Sequence, residues 1–148
     1  SNHFPVWQPS FASEFIAWLL AHSKPGAWTD NGSDLTGTYG PPVLSPSGTA
    51  NPGTVVSIDA SNALENTLAV LVIGASAVNV PLAGGVLGPS MDFSVFGLVS
   101  NSVGELSTNL NWPAGLPIGL PIYFQYWFQD AAGPAGLAST TTWRLVLP

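Results

Sequence analysis

From Thr54 onward, short apolar runs alternate with breaks of glycine, proline and asparagine. Six stretches read as strands: 54–60, 67–75, 93–100, 105–112, 122–130 and 142–147. Between them lie Asn79-Val80-Pro81, Gly84-Gly85, Gly88-Pro89, Pro113-Ala114-Gly115 and Gly133-Pro134, which interrupt regular structure. Short strands at this spacing, with no helical period between them, predict a mainly-β fold. The expected form is an antiparallel β-sandwich, immunoglobulin-like or Greek-key. Val103-Gly104, between two of the runs, reads as a hairpin turn.

Side-chain alternation refines these assignments. In 105–112, Leu106, Leu110 and Trp112 share one face, and Glu105, Ser107, Asn109 and Asn111 share the other. That is the pattern of a half-buried antiparallel strand. The run 67–75 is apolar on both faces and should lie inside a sheet. In 122–130, Ile122, Phe124, Tyr126 and Phe128 form one face. The opposite face, Tyr123, Gln125, Trp127 and Gln129, mixes aromatic rings with amides.

The chain before Thr54 has a different texture. Within residues 1–25, Phe11, Phe15, Trp18, Leu19 and His22 fall on one stripe of a predicted α-helix. Ser10 suits its N-cap, and Lys24-Pro25-Gly26 stops it. This stripe is too apolar to face water, so something must cover it. Residues 26–53 hold Asp30-Asn31-Gly32-Ser33-Asp34, Tyr39-Gly40-Pro41-Pro42 and Ser45-Pro46-Ser47-Gly48. These are turn formers, and they read as a linker with at most one short edge strand near Val43-Leu44. The expected organisation is a helical lead-in (1–25), a Gly/Pro-rich linker with a first edge strand (26–53) and a β-sandwich (54–148).

Composition narrows the partners. Charged residues make up only 7% of the chain against 46% hydrophobic, so the solvated surface must be built from Ser, Thr, Asn, Gln and Gly. Such a surface suits an extracellular protein and offers little charge repulsion against self-association. Lys24 and Arg144 are the only cations and the net charge is -6, which argues against nucleic acid and anionic membranes. The longest apolar stretch, residues 68–75, is far shorter than the roughly 20 residues of a membrane span. With no cysteine, the chain has no disulfide, zinc knuckle or thiol nucleophile.

Catalytic motifs are sparse. There is no Gly-x-Ser-x-Gly elbow, no phosphate loop with a lysine and no His-Glu-x-x-His pair. Asp30, Asn31 and Asp34 offer oxygen ligands close enough for a Ca²⁺ loop, but Asx turns use the same residues. No other cofactor is expected. The face of Tyr123, Gln125, Trp127 and Gln129 has two readings. It is a binding platform, with rings stacking on sugar C–H surfaces and amides meeting hydroxyls, or it is packed against other protein.

Two family resemblances add to this. His3-Phe4-Pro5-Val6-Trp7, with Phe11, Phe15 and Trp18-Leu19-Leu20-Ala21-His22, resembles the C-terminal histidine loop and last helix of α/β-hydrolases of the secreted esterase and polyester-depolymerase kind. The resemblance implies that His3 is a triad histidine. Its serine and acid partners would lie upstream of Ser1, so this chain alone should not hydrolyse esters. From about Gly37 the chain resembles a C-terminal β-sandwich domain of secreted planctomycete-like and myxobacteria-like proteins. The residues that carry this are Leu71-Val72-Ile73-Gly74-Ala75-Ser76, Pro81-Leu82-Ala83-Gly84-Gly85, Leu116-Pro117-Ile118-Gly119 and the segment 123–138. Together the two resemblances imply a secreted, non-catalytic accessory module of a hydrolase. Its partner would be a polysaccharide or polyester surface, or the covalently attached hydrolase domain. Alternatives are a subunit of an extracellular filament or surface assembly, and a serine esterase fragment using His3.

Overall fold

A computed structural model describes residues 27–148, and the predicted helix and His3 lie outside them. The described chain is mainly β, with eleven strands in three antiparallel sheets and no helix. In chain order the strands are β1 Ala27–Asp30, β2 Val43–Ser47, β3 Val55–Ser61, β4 Leu68–Gly74, β5 Ala77–Leu82 and β6 Gly85–Pro89. They continue with β7 Phe93–Val99, β8 Leu106–Asn111, β9 Pro121–Gln129, β10 Leu137–Ser139 and β11 Trp143–Val146.

The larger sheet has the order β1-β11-β9-β4-β7. Its longest strand, β9, pairs with β4 along one side. The other side is shared, β11 taking residues 121–124 and β10 residues 127–129. A second sheet runs β2-β3-β8, and β5 and β6 form a separate hairpin. Leu44, Val56, Ile58 and Ala60 of the second sheet share one buried cluster with Leu71, Phe124, Tyr126, Phe128 and Leu145 of the first. Period-two alternation sends these residues to one face of each strand. Each fully buried Leu, Ile or Phe among them contributes about 1.5–3 kcal/mol of transfer free energy.

All six predicted strands are present within a residue or two, and β4 lies inside its sheet as its apolar faces require. Other elements differ from the sequence expectation. Val103-Gly104 does form a turn, closed by Gly104 N–H donating to Asn101 O at 3.1 Å, but it does not make a hairpin. It carries the chain from β7 in one sheet to β8 in the other, because β4 claims β7 and β3 claims β8. The stretch 27–53 supplies two strands, not one, since β1 pairs along β11 from Ala27↔Val146 to Asp30↔Trp143. The breaks between 79 and 89 fall within or beside β5 and β6, which meet at the two-residue turn Ala83-Gly84. Both turn residues have positive φ, 54° and 88°, as a type I′ hairpin requires.

Candidate functional site

The outward face of the larger sheet is where the aromatic and amide residues of β9 fall. Gln125 and Trp127 project away from the main core there, and the β5–β6 hairpin folds over them. Gln125 is fully buried, and its amide is fully used. Oε1 accepts from Gly88 N–H (3.1 Å) and from Trp127 Nε1–H (2.9 Å). Nε2 donates to Val86 O (3.0 Å) and Thr140 O (3.1 Å). One side chain thus staples β6 and the 139–141 segment onto β9. Gly88 permits this closeness, since a Cβ there would collide with the Thr142 side chain.

The four residues of the predicted platform are therefore divided. Gln125 and Trp127 are buried under the hairpin, Tyr123 is half-buried opposite Arg144, and Gln129 is exposed. What the sheet presents to solvent beside them is an apolar groove of about 370 Å³. Its floor is Val70 and Val72 of β4 with the ring of Trp127. Leu82 and Leu87 of the hairpin line it, as do Leu137, Leu68, Met91 and Phe96. Among the described residues, Gln129 is the only polar side chain in the lining, and none of them is ionisable.

The strand β7 shapes this groove from the sheet edge. Its register against β4 slips between Ala69 and Leu71, where Phe96 and Gly97 together face Val70. Gly97 has φ +75°, the left-handed conformation that suits a β-bulge. Phe96 is left 72% exposed and Met91 62% exposed, unusually high for groups of this size. Phe96, Met91, Leu82 and Leu87 were not nominated from sequence. The signal was the near-continuous apolar run 93–99, which leaves no polar face for solvent.

The candidate metal residues lie at the end of β1, beside the segment between β10 and β11. Asp30 Oδ1 accepts from Gly32 N–H at 2.7 Å, an Asx turn at the end of β1. The Asn31 backbone N–H donates to Thr142 O at 2.7 Å. Among the described residues, no three His, Cys, Asp or Glu side chains converge on a metal position.

Three other carboxylates hold structure together through their hydrogen bonds. Asp130, buried at the end of β9, accepts from Thr38 N–H and Thr38 Oγ1–H, both at 2.7 Å, and from Ala132 N–H at 3.0 Å. Burial pushes its carboxyl up, but the Thr38 and Ala132 hydrogen bonds outweigh that and hold it below the usual range. Glu65 accepts from Tyr39 Oη–H at 2.7 Å, which lowers the carboxyl and raises the phenol. Asp92 accepts from Ala75 N–H and Ser90 Oγ–H, and its carboxyl is lowered by both. Comparison with protein-family models, curated proteins and solved structures gives no match for this chain.

Proposed function

We propose that this chain is a non-catalytic binding module, an antiparallel β-sandwich that attaches a secreted hydrolase to an apolar, uncharged polymer such as an aliphatic polyester. The observation that carries this is the groove between the β5–β6 hairpin and β7. Among the described residues its lining is apolar and holds no ionisable side chain, which suits adsorption and not proton transfer. Polysaccharide fits less well. The amide of Gln125 and the indole N–H of Trp127, the groups that would meet sugar hydroxyls, bond one another and the backbone instead. A sugar would find one exposed amide, Gln129, over a greasy surface.

The test is depletion of the chain from solution by aliphatic polyester particles and by cellulose particles. Retention on the polyester alone is expected. Phe96→Ala should weaken it about tenfold, since seating a Phe ring is worth about 1.5–3 kcal/mol and 1.4 kcal/mol is one decade. Val103→Ala, at a 69% exposed side chain outside the groove, should change nothing. Equal retention on both materials, or a Phe96→Ala chain that adsorbs undiminished, would sink the idea.

A further inference from the structure

The turn Asp30-Asn31-Gly32-Ser33-Asp34 carries a chemistry apart from metal binding. Asn31-Gly32 is the only Asn-Gly pair in the sequence. The backbone nitrogen that follows an asparagine can attack its side-chain amide, and a glycine there puts no Cβ in the way. Asn31 is exposed, and a Cβ built on Gly32 would meet no atom within 4 Å, so the turn stands open to water. Other asparagines have their amides engaged. Asn62 Nδ2 donates to Tyr39 O and Pro41 O, and Asn101 Oδ1 accepts from the Val103 and Glu105 N–H groups. The Asn31-Gly32 peptide is clasped through its backbone instead. Gly32 N–H, on the attacking nitrogen, donates to Asp30 Oδ1 at 2.7 Å. Asn31 N–H donates to Thr142 O at 2.7 Å, and Thr142 N–H donates to Gly32 O at 3.0 Å. These two bonds continue the pairing of β1 with β11 past Asp30↔Trp143.

We infer that Asn31 is a site of spontaneous modification, converting to aspartate and isoaspartate through a succinimide, and that the Asp30 clasp holds this in check. Gly32 N bonds to Asn31 Cγ and the Cγ–Nδ2 bond breaks. The amide nitrogen leaves as ammonia, taking the proton that Gly32 N gives up. Water then opens the ring. Attack at Cγ gives aspartate, and attack at the backbone carbonyl leaves the main chain running through Cβ and Cγ, as isoaspartate. Ring closure requires Gly32 N to part from Asp30 Oδ1 and the Asn31 backbone to rotate, which also breaks the bonds to Thr142. The reaction therefore runs from a locally opened end of β1, and its rate follows how often that end opens. β1 is an edge strand with β11 as its one neighbour, so this opening leaves the rest of the sheet paired. In isoaspartate the main chain has one more atom between the two groups that meet Thr142. Both bonds can no longer form together, and the end of β1 stays loose. Either product also adds a negative charge between Asp30 and Asp34.

The test is incubation of the full chain in mildly alkaline buffer. Peptide mapping by mass spectrometry follows each asparagine, and enzymatic methylation counts isoaspartate. In the folded chain Asn31 should convert ahead of Asn62 and Asn101. Asp30→Ala should speed that conversion roughly three- to tenfold, the effect of losing a hydrogen bond to a charged acceptor. Asp30→Asn keeps an acceptor oxygen in the Asx turn and should stay within about twofold of the parent. In concentrated urea, where no clasp exists, the parent and Asp30→Ala should convert alike. Near-ultraviolet circular dichroism checks that each variant keeps its packed core in buffer. Asn31 converting no faster than Asn62 and Asn101 would overturn the proposal. So would an Asp30→Ala chain whose rate is unchanged in buffer, or raised equally in urea. None of these outcomes depends on the polymer-binding groove.

Discussion

Asp130 shows how a single side chain organises a segment rich in turn formers. Its carboxylate collects three donors from residues 38 and 132, tying the chain before β2 to the loop after β9. Its carboxyl is held below the ordinary carboxylate value, so the stabilisation is complete above the unfolded value of about 4 and disappears as pH falls through the folded one. The thermal midpoint should therefore fall as the solution is acidified below about pH 4. Asp130→Asn should flatten that dependence and lower stability at neutral pH by about 1.5–3 kcal/mol, the worth of hydrogen bonds to a charged group. Thermal unfolding followed across pH checks both. In the sequence, Asp130 was simply the end of a predicted strand. Its partner lies 92 residues away, and no local pattern signals such a contact.

At the scale of elements, the β5–β6 hairpin decides what the outward face of the larger sheet becomes. The hairpin is held largely through Gln125, so Gln125→Ala leaves Gly88 N–H, Trp127 Nε1–H, Val86 O and Thr140 O without their partner. Each unpaired buried group costs about 1–3 kcal/mol, so with four of them a total loss of at least about 4 kcal/mol is expected. Amide hydrogen exchange of residues 85–88 should accelerate well ahead of that in β3 and β8, which belong to the other sheet. Uniform acceleration across the chain would mean that the hairpin does not open by itself. The alternation of β9 was legible in advance, as was the aromatic and amide character of its outer face. The cover over it was not, because the hairpin lies within a stretch whose Asn, Pro and Gly residues read as breaks. The bulge at Gly97 was hidden in the same way, since it appears only once β7 is set against β4.

For the molecule as a whole, one buried hydroxyl links the two larger sheets. Tyr126 Oη–H donates to Ile58 O at 2.6 Å and accepts from Thr108 Oγ1–H at 2.6 Å, inside an otherwise apolar core. Burial pushes this phenol up to about 12, so it remains a donor at any ordinary pH. Tyr126→Phe should keep the ring's packing, strand Thr108 Oγ1 and lower stability by about 1–3 kcal/mol, measurable by urea unfolding with an unchanged m-value. The amino-acid sequence by itself determined the mainly-β character, six of the strands and which residues face inward along them. It could do so because period-two alternation and turn chemistry are local properties of the backbone. Tertiary structure alone decided that β7 and β8 part into different sheets, that Gln125 and Trp127 are covered, and that Phe96 is not. Those outcomes depend on which distant surfaces meet, and a strand's own residues do not specify what will lie over them.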